Sequence, residues 1–160
     1  MSTQTFQVRT DTTVPVDSSI FNLRAVGSET MVETDQGLLP AKSLTTQHRL
    51  REHRGLFVDI EWVERLDLSA ENLNKYPGLN PVLIPAGLFG PGLPRRNTVL
   101  SPSQKIWAKR SDGIPGAFGS ARMLAPDPLK FHEQDIAVSY IVLACSRPVM
   151  FNAEGMWLSC

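Results

Sequence analysis

Twelve prolines and eleven glycines are spread through the 160 residues so that they interrupt every stretch long enough for a long helix. Proline removes a backbone donor and collides with the preceding turn, and glycine carries a large entropic cost, so neither suits a helix interior. What survives between the breaks are short alternating or apolar runs, the pattern of strands joined by turns. An all-β protein with little helix is expected.

The stretch up to Asn22 is rich in Thr, Ser and Asp, with alternating pairs such as Phe6/Val8 and Val14/Val16. This predicts an extended N-terminal arm over residues 1–24, with Phe6 and Val8 as candidate contact residues, ahead of a β-domain over 25–160. A loose polar tail is the alternative for such a composition. Strands are predicted over 30–34 and 38–44 around an Asp35-Gln36-Gly37 turn, and over 55–63. Ser69 is placed to cap a helical turn ending before Pro77-Gly78. Prolines keep the strand at 81–86 short or at an edge. Gly/Pro-rich loops are expected at 87–94 and 113–119, with strands at 99–100 and 105–108 between them. Residues 136–145 are the most hydrophobic part and read as a buried strand, turned by Ser146-Arg147-Pro148 into a strand that begins at Val149.

Lys plus Arg and Asp plus Glu both number 16, so no global charge draws the chain to nucleic acid or anionic lipid, and neither is expected as a partner. The apolar runs at 82–89 and 136–143 fall short of the ~20 residues that a membrane helix needs. The N-terminus lacks the basic start and apolar core of a secretion signal, so cytoplasmic synthesis is expected. Cys145 and Cys160 are expected to be reduced, Cys145 as an inert core thiol and Cys160 as the better candidate for a reactive one.

One segment carries a specific resemblance. The strand at 81–86, the loop through Ala86-Gly87-Leu88-Phe89-Gly90, then Pro94-Arg95-Arg96-Asn97 and Ser101-Pro102-Ser103-Gln104 resemble the central signature of bacterial hedgehog/intein (Hint) domains. Thr34-Asp35-Gln36-Gly37 with Pro40 to Leu44, Trp62, Tyr140 and Ala153-Glu154-Gly155 are similar to further elements of that family, in order, over about residues 25–160. The resemblance implies a horseshoe-like, pseudo-twofold all-β domain. It also implies a chemistry: a Cys or Ser at the first position of the domain attacks the preceding peptide carbonyl, and the His of Thr-x-x-His or Ser-Pro-x-His protonates the departing amine.

This chain departs from the pattern at the residues that matter. Family spacing puts Ala25 at the nucleophile position, where a methyl group cannot attack a carbonyl. In the second motif Ser101 is kept, but Gln104 replaces the proton-donating His, and an amide does not titrate near neutral pH. The late His is Pro148, and the family's Tyr-x-His reads Tyr140-Ile141-Val142. A catalytically degenerate member is expected.

Other features are weaker. His48, His53 and His132 lack the spacing or companions of a metal set, and no metal or cofactor is expected. Arg49, Arg51 and Arg54 form a local basic patch, read as a solvated loop that could contact an acidic partner protein. The loop after Gly87 lacks the Lys-Ser/Thr helix start of a phosphate loop. Trp62, Trp107 and Trp157 are expected to pack in or near the core.

The expected function is a non-catalytic structural or interaction subunit of a larger protein assembly, for which a phage-like particle is one setting, with other protein subunits as partners. The rival is a self-cleaving domain using Ser18, Ser19 or Ser28 as nucleophile to release a short N-terminal peptide. A small-ligand binder that reuses the vacated cleft is a third reading, with no ligand indicated.

Overall fold

Every strand pairing in the structure, a computed structural model that describes residues 22–108, 116–126 and 137–160, is antiparallel. Phe6, Val8, most of the expected arm, and His132 lie outside the described residues. Among the described residues, twelve strands form one strongly curled, half-barrel sheet, as the all-β expectation required. They are β1 (Val26–Gly27), β2 (Met31–Thr34), β3 (Gly37–Pro40), β4 (Arg49–Arg51), β5 (Phe57–Leu68), β6 (Val82–Ile84), β7 (Thr98–Leu100), β8 (Lys105–Ala108), β9 (Ala117–Ser120), β10 (Val138–Cys145), β11 (Met150–Ala153) and β12 (Met156–Ser159). Their lateral order is β6-β7-β1-β10-β5-β4-β2-β11-β12-β8-β9, with β3 beside β2.

The longest ladder, β5 with β10, divides the interior. On β10, Tyr140 and Val142 face one apolar cluster, while Ile141 belongs to the other and Leu143 and Cys145 pack against it. A strand buried on both faces explains the continuous apolar run read there. On β5 the alternation breaks. Val58 and Ile60 point into the larger cluster, whereas Leu66 and Leu68 point into the smaller one. The reason is a bulge: Ala144 pairs with Trp62 and Cys145 with Ile60, so Glu61 is the extra residue. One extra residue in a period of two exchanges the faces. That interruption also explains why periodicity predicts a strand ending at 63 when β5 runs to Leu68.

The smaller cluster is closed by α1 (Ala70–Lys75) and a 3-10 turn, Pro77–Leu79. Ser69 caps α1 as predicted: its hydroxyl accepts from the Asn72 N–H, and the Asn72 side chain accepts from the Ser69 N–H. Tyr140, wholly buried, donates its hydroxyl to the Leu79 carbonyl at 2.8 Å, and burial pushes its phenol well above the ordinary tyrosine range, so the donor proton is kept.

Several elements differ from the sequence reading. Residues 41–43 form a 3-10 turn in place of the end of a strand, and Ala117–Ser120 is a strand where a loop was expected, followed by α2 (Ala121–Leu124). The basic segment read as a loop contains β4, whose inward Leu50 is flanked by outward arginines, a period of two hidden by its charge. Arg49 pairs with Asp35 at 3.4 Å, Arg51 with Glu33 at 3.2 Å and Arg54 with Glu52 at 2.9 Å, so each cation of this patch already has a carboxylate.

Glu52 is fully buried in the turn after β4. Burial alone would raise its pKa, but hydrogen bonds from the Arg54 side chain and N–H, the Arg147 side chain and the Leu56 N–H outweigh it and hold the carboxyl at about 2. A second buried carboxylate, Glu154, sits in the two-residue turn between β11 and β12, with φ of 52° there and 88° at Gly155. Positive φ at both positions matches the right-handed twist of a hairpin. Its side chain accepts from the Met31 N–H at 2.8 Å and from Arg96 Nε at 2.9 Å, and Arg96 also donates to the Glu29 carbonyl.

The expected free thiols are corrected: Cys145 and Cys160 form a disulfide, their Cα atoms 6.2 Å apart. β11 and β12 make a hairpin that returns the last residue beside the end of β10, a proximity that spacing in sequence does not reveal.

Two outcomes follow from these contacts. Reducing the disulfide, which spans 15 residues, should lower the unfolding free energy by about 3 kcal/mol in urea titrations; equal midpoints with and without reductant would contradict this. Because the Glu52 pKa is depressed on folding, its contribution is fully present above about pH 4.5 and is lost as pH falls through about 2. Melting temperature should drop over that window, and Glu52→Gln should flatten the drop while lowering stability at neutral pH. An unchanged acid profile in the variant would refute the assignment.

Candidate functional site

Three of the four positions expected to be degenerate, Ala25, Ser101 and Gln104, meet at one place. β1 lies between β10 and β7, with Val26 opposite both Ile141 and Leu100, so Ala25 is brought against the turn that follows β7. Close approach is possible because Gly27 has no side chain: a Cβ there would meet the Val99 carbonyl at 3.0 Å. Ser101 then bridges the chain on both sides of residue 24. Its hydroxyl donates to the Leu23 carbonyl at 2.7 Å and accepts from the Ala25 N–H at 2.9 Å, while its own N–H donates to the Ala25 carbonyl at 3.0 Å. The Arg24–Ala25 peptide is held in place by these bonds.

Gln104 is 2 % exposed and works in the same neighbourhood. Its amide nitrogen donates to the Ser159 carbonyl at 2.9 Å, with the Lys105 carbonyl and the Ser159 hydroxyl at 3.2 and 3.3 Å. An imidazole here would have been a proton carrier; the amide is a fastener between β8 and the end of β12. Ala25, Gln104, Ser159 and Cys160 share the wall of one cavity with Ile141 and Phe151. Its volume is about 10 Å³, at the lower limit for one water. No Asp, Glu or His among the described residues lines it.

Pro148 is not part of this cluster. It lies exposed in the turn between β10 and β11. Val142, at the family's other His position, is buried in the smaller apolar cluster, and it is the adjacent Ile141 that reaches the cavity. Ser28 is fixed through its backbone, its N–H to the Ser139 carbonyl and its carbonyl to the Lys42 N–H. Ser18 and Ser19 lie outside the described residues. His48 and His53 belong to no group of metal-ligating side chains among the described residues. Ser159, and the position of Cys160 at this site, escaped the sequence reading because both reach it only through the β11–β12 hairpin; the Ala153-Glu154-Gly155 turn was the available signal.

The geometry thus gathers, from four distant segments, a serine bridging a backbone peptide, a buried amide and a nearly filled cavity. The model of the Hint domain family matches residues 25–159, beginning at Ala25 itself. No curated protein and no solved structure matches the chain. With the match covering most of the sequence and the curled antiparallel sheet as its framework, the chain belongs to the Hint domain family.

Proposed function

We propose that this Hint-fold protein is a non-catalytic structural or interaction subunit that leaves its Arg24–Ala25 peptide uncleaved and joins other protein subunits in a larger assembly. The observation that carries the first half is the pairing of Ala25 with Ser101. Acyl transfer needs a nucleophile next to the carbonyl and a group to move protons. Residue 25 offers only a methyl group, the Ser101 proton is engaged by the Leu23 carbonyl, and Gln104 is engaged by β12.

The second half is supported by the rim of the sheet. Among the described residues, β9 is an outer strand, hydrogen-bonded only to β8 in the strand order. Phe118 on it is 68 % exposed, and Met123 on the adjoining α2 is 76 % exposed. An open edge flanked by apolar side chains suits strand addition by a partner, in which main-chain bonds give affinity and side chains give selectivity. A phage-like particle is one assembly in which such a subunit would serve.

Intact-mass spectrometry after long incubation, with hydroxylamine in one arm and a thiol in another, tests the inert peptide. Hydroxylamine should leave one unchanged mass, and the thiol should add only the hydrogens of the reduced Cys145–Cys160 pair. Release of a fragment ending at Arg24 would overturn the reading and make the chain a self-cleaving enzyme.

A further inference from the structure

Much of the positive charge on the described residues is neutralised by paired carboxylates. Arg49, Arg51, Arg54, Arg65, Arg96 and Arg147 each meet a carboxylate within 3.4 Å. Arg24, Lys105 and Arg122 form an ion pair with no described residue, and all three line one pocket. They arrive from separate parts of the fold: Arg24 just before β1, Lys105 at the start of β8 and Arg122 on α2. Among the described residues, the rest of the lining is polar or neutral, including Asn22, Ser103 and Ser120, and contains no carboxylate. The pocket measures about 550 Å³, within the range of small-ligand sites.

Three like charges turned to one concavity repel one another unless an anion lies between them, and a concave wall strengthens their common field. One carboxylate would leave most of that charge uncompensated. A phosphoryl group carries more charge and more acceptor oxygens, and the planar fork of arginine fits it with two parallel hydrogen bonds. The Asn22 amide and the Ser120 hydroxyl supply neutral donors of the kind that surround such a group.

We infer that the pocket bounded by Arg24, Lys105 and Arg122 binds a small molecule carrying phosphoryl groups. The site is separate from the filled cavity at Gln104 but shares Arg24 with it, so a bound anion would sit against the residue that precedes Ala25. This inference stands whether or not the peptide is inert.

Inorganic pyrophosphate is a suitable probe, titrated into the full chain by calorimetry at low ionic strength. Saturable binding at one site is expected. Arg24→Gln and Arg122→Gln should each weaken it by about tenfold, the equivalent of losing one charge-assisted hydrogen bond. Arg49→Gln, on a paired arginine of β4, should leave it unchanged, and melting curves should show that all three variants fold. Absence of saturable binding, or equal weakening by Arg49→Gln, would overturn the inference. A single-stranded oligonucleotide or an acidic peptide that binds and cannot be displaced by pyrophosphate would also overturn it, by assigning the pocket to a macromolecule.

Discussion

The ladder between β5 and β10 is the member on which the other elements are hung. Both of its strands contribute apolar side chains to both clusters, and the Glu61 bulge lets β5 do so by exchanging its faces partway. Two apolar clusters therefore share one wall. β1 pairs with β10 at Val26 and Gly27, which fixes the chain at the domain's start, and Tyr140 reaches across to hold the 3-10 turn at Leu79. The disulfide ties the far end of β10 to the end of the chain. A slip of one residue in this ladder would move every apolar residue of β10 to the wrong cluster and shift residue 25 away from Ser101.

Buried carboxylates do a related job at the turns. Glu52 and Glu154 are almost inaccessible, yet each accepts from a backbone N–H and an arginine whose own side chain remains about half exposed. This arrangement satisfies the acceptor without burying the cation, which avoids most of the desolvation cost of a fully buried pair. Glu154 also explains why separate motif fragments hold together. It joins the Pro94-Arg95-Arg96 segment, the start of β2 and the β11–β12 turn at one carboxylate oxygen.

What the sequence made legible was what local patterning encodes. The all-β class, the cap at Ser69 and the buried strand at the end of the chain follow from period and turn chemistry. The convergence of Ala25, Ser101 and Gln104 was legible only through the family motif, because these residues are linked across more than seventy positions. Features set by tertiary contact stayed hidden. The bulge at Glu61 erases the alternation of β5, the arginines of β4 hide its single inward leucine, and the disulfide depends on a hairpin return. Glu52 reads as one acid among arginines, and nothing local marks it as buried.

On the proposed reading, the residues at the catalytic positions have exchanged one task for another without moving. A serine beside the first residue of the domain can position a peptide for attack or clamp it, and the difference lies in whether its neighbours can take up a proton. Here its hydroxyl is committed to the Leu23 carbonyl, and Gln104 spends its donors on Ser159 and Lys105. An amide makes those bonds at any pH, whereas an imidazole would weaken or change them when it titrates. On this reading, the substitution that would remove acid catalysis also gives the closure between β8 and β12 a constant strength. A cavity of about 10 Å³ beside it leaves little room for an outside nucleophile. Loss of chemistry and gain of a fixed joint are then one physical change, which is what a subunit needs if its first strand is to bear load from a neighbour.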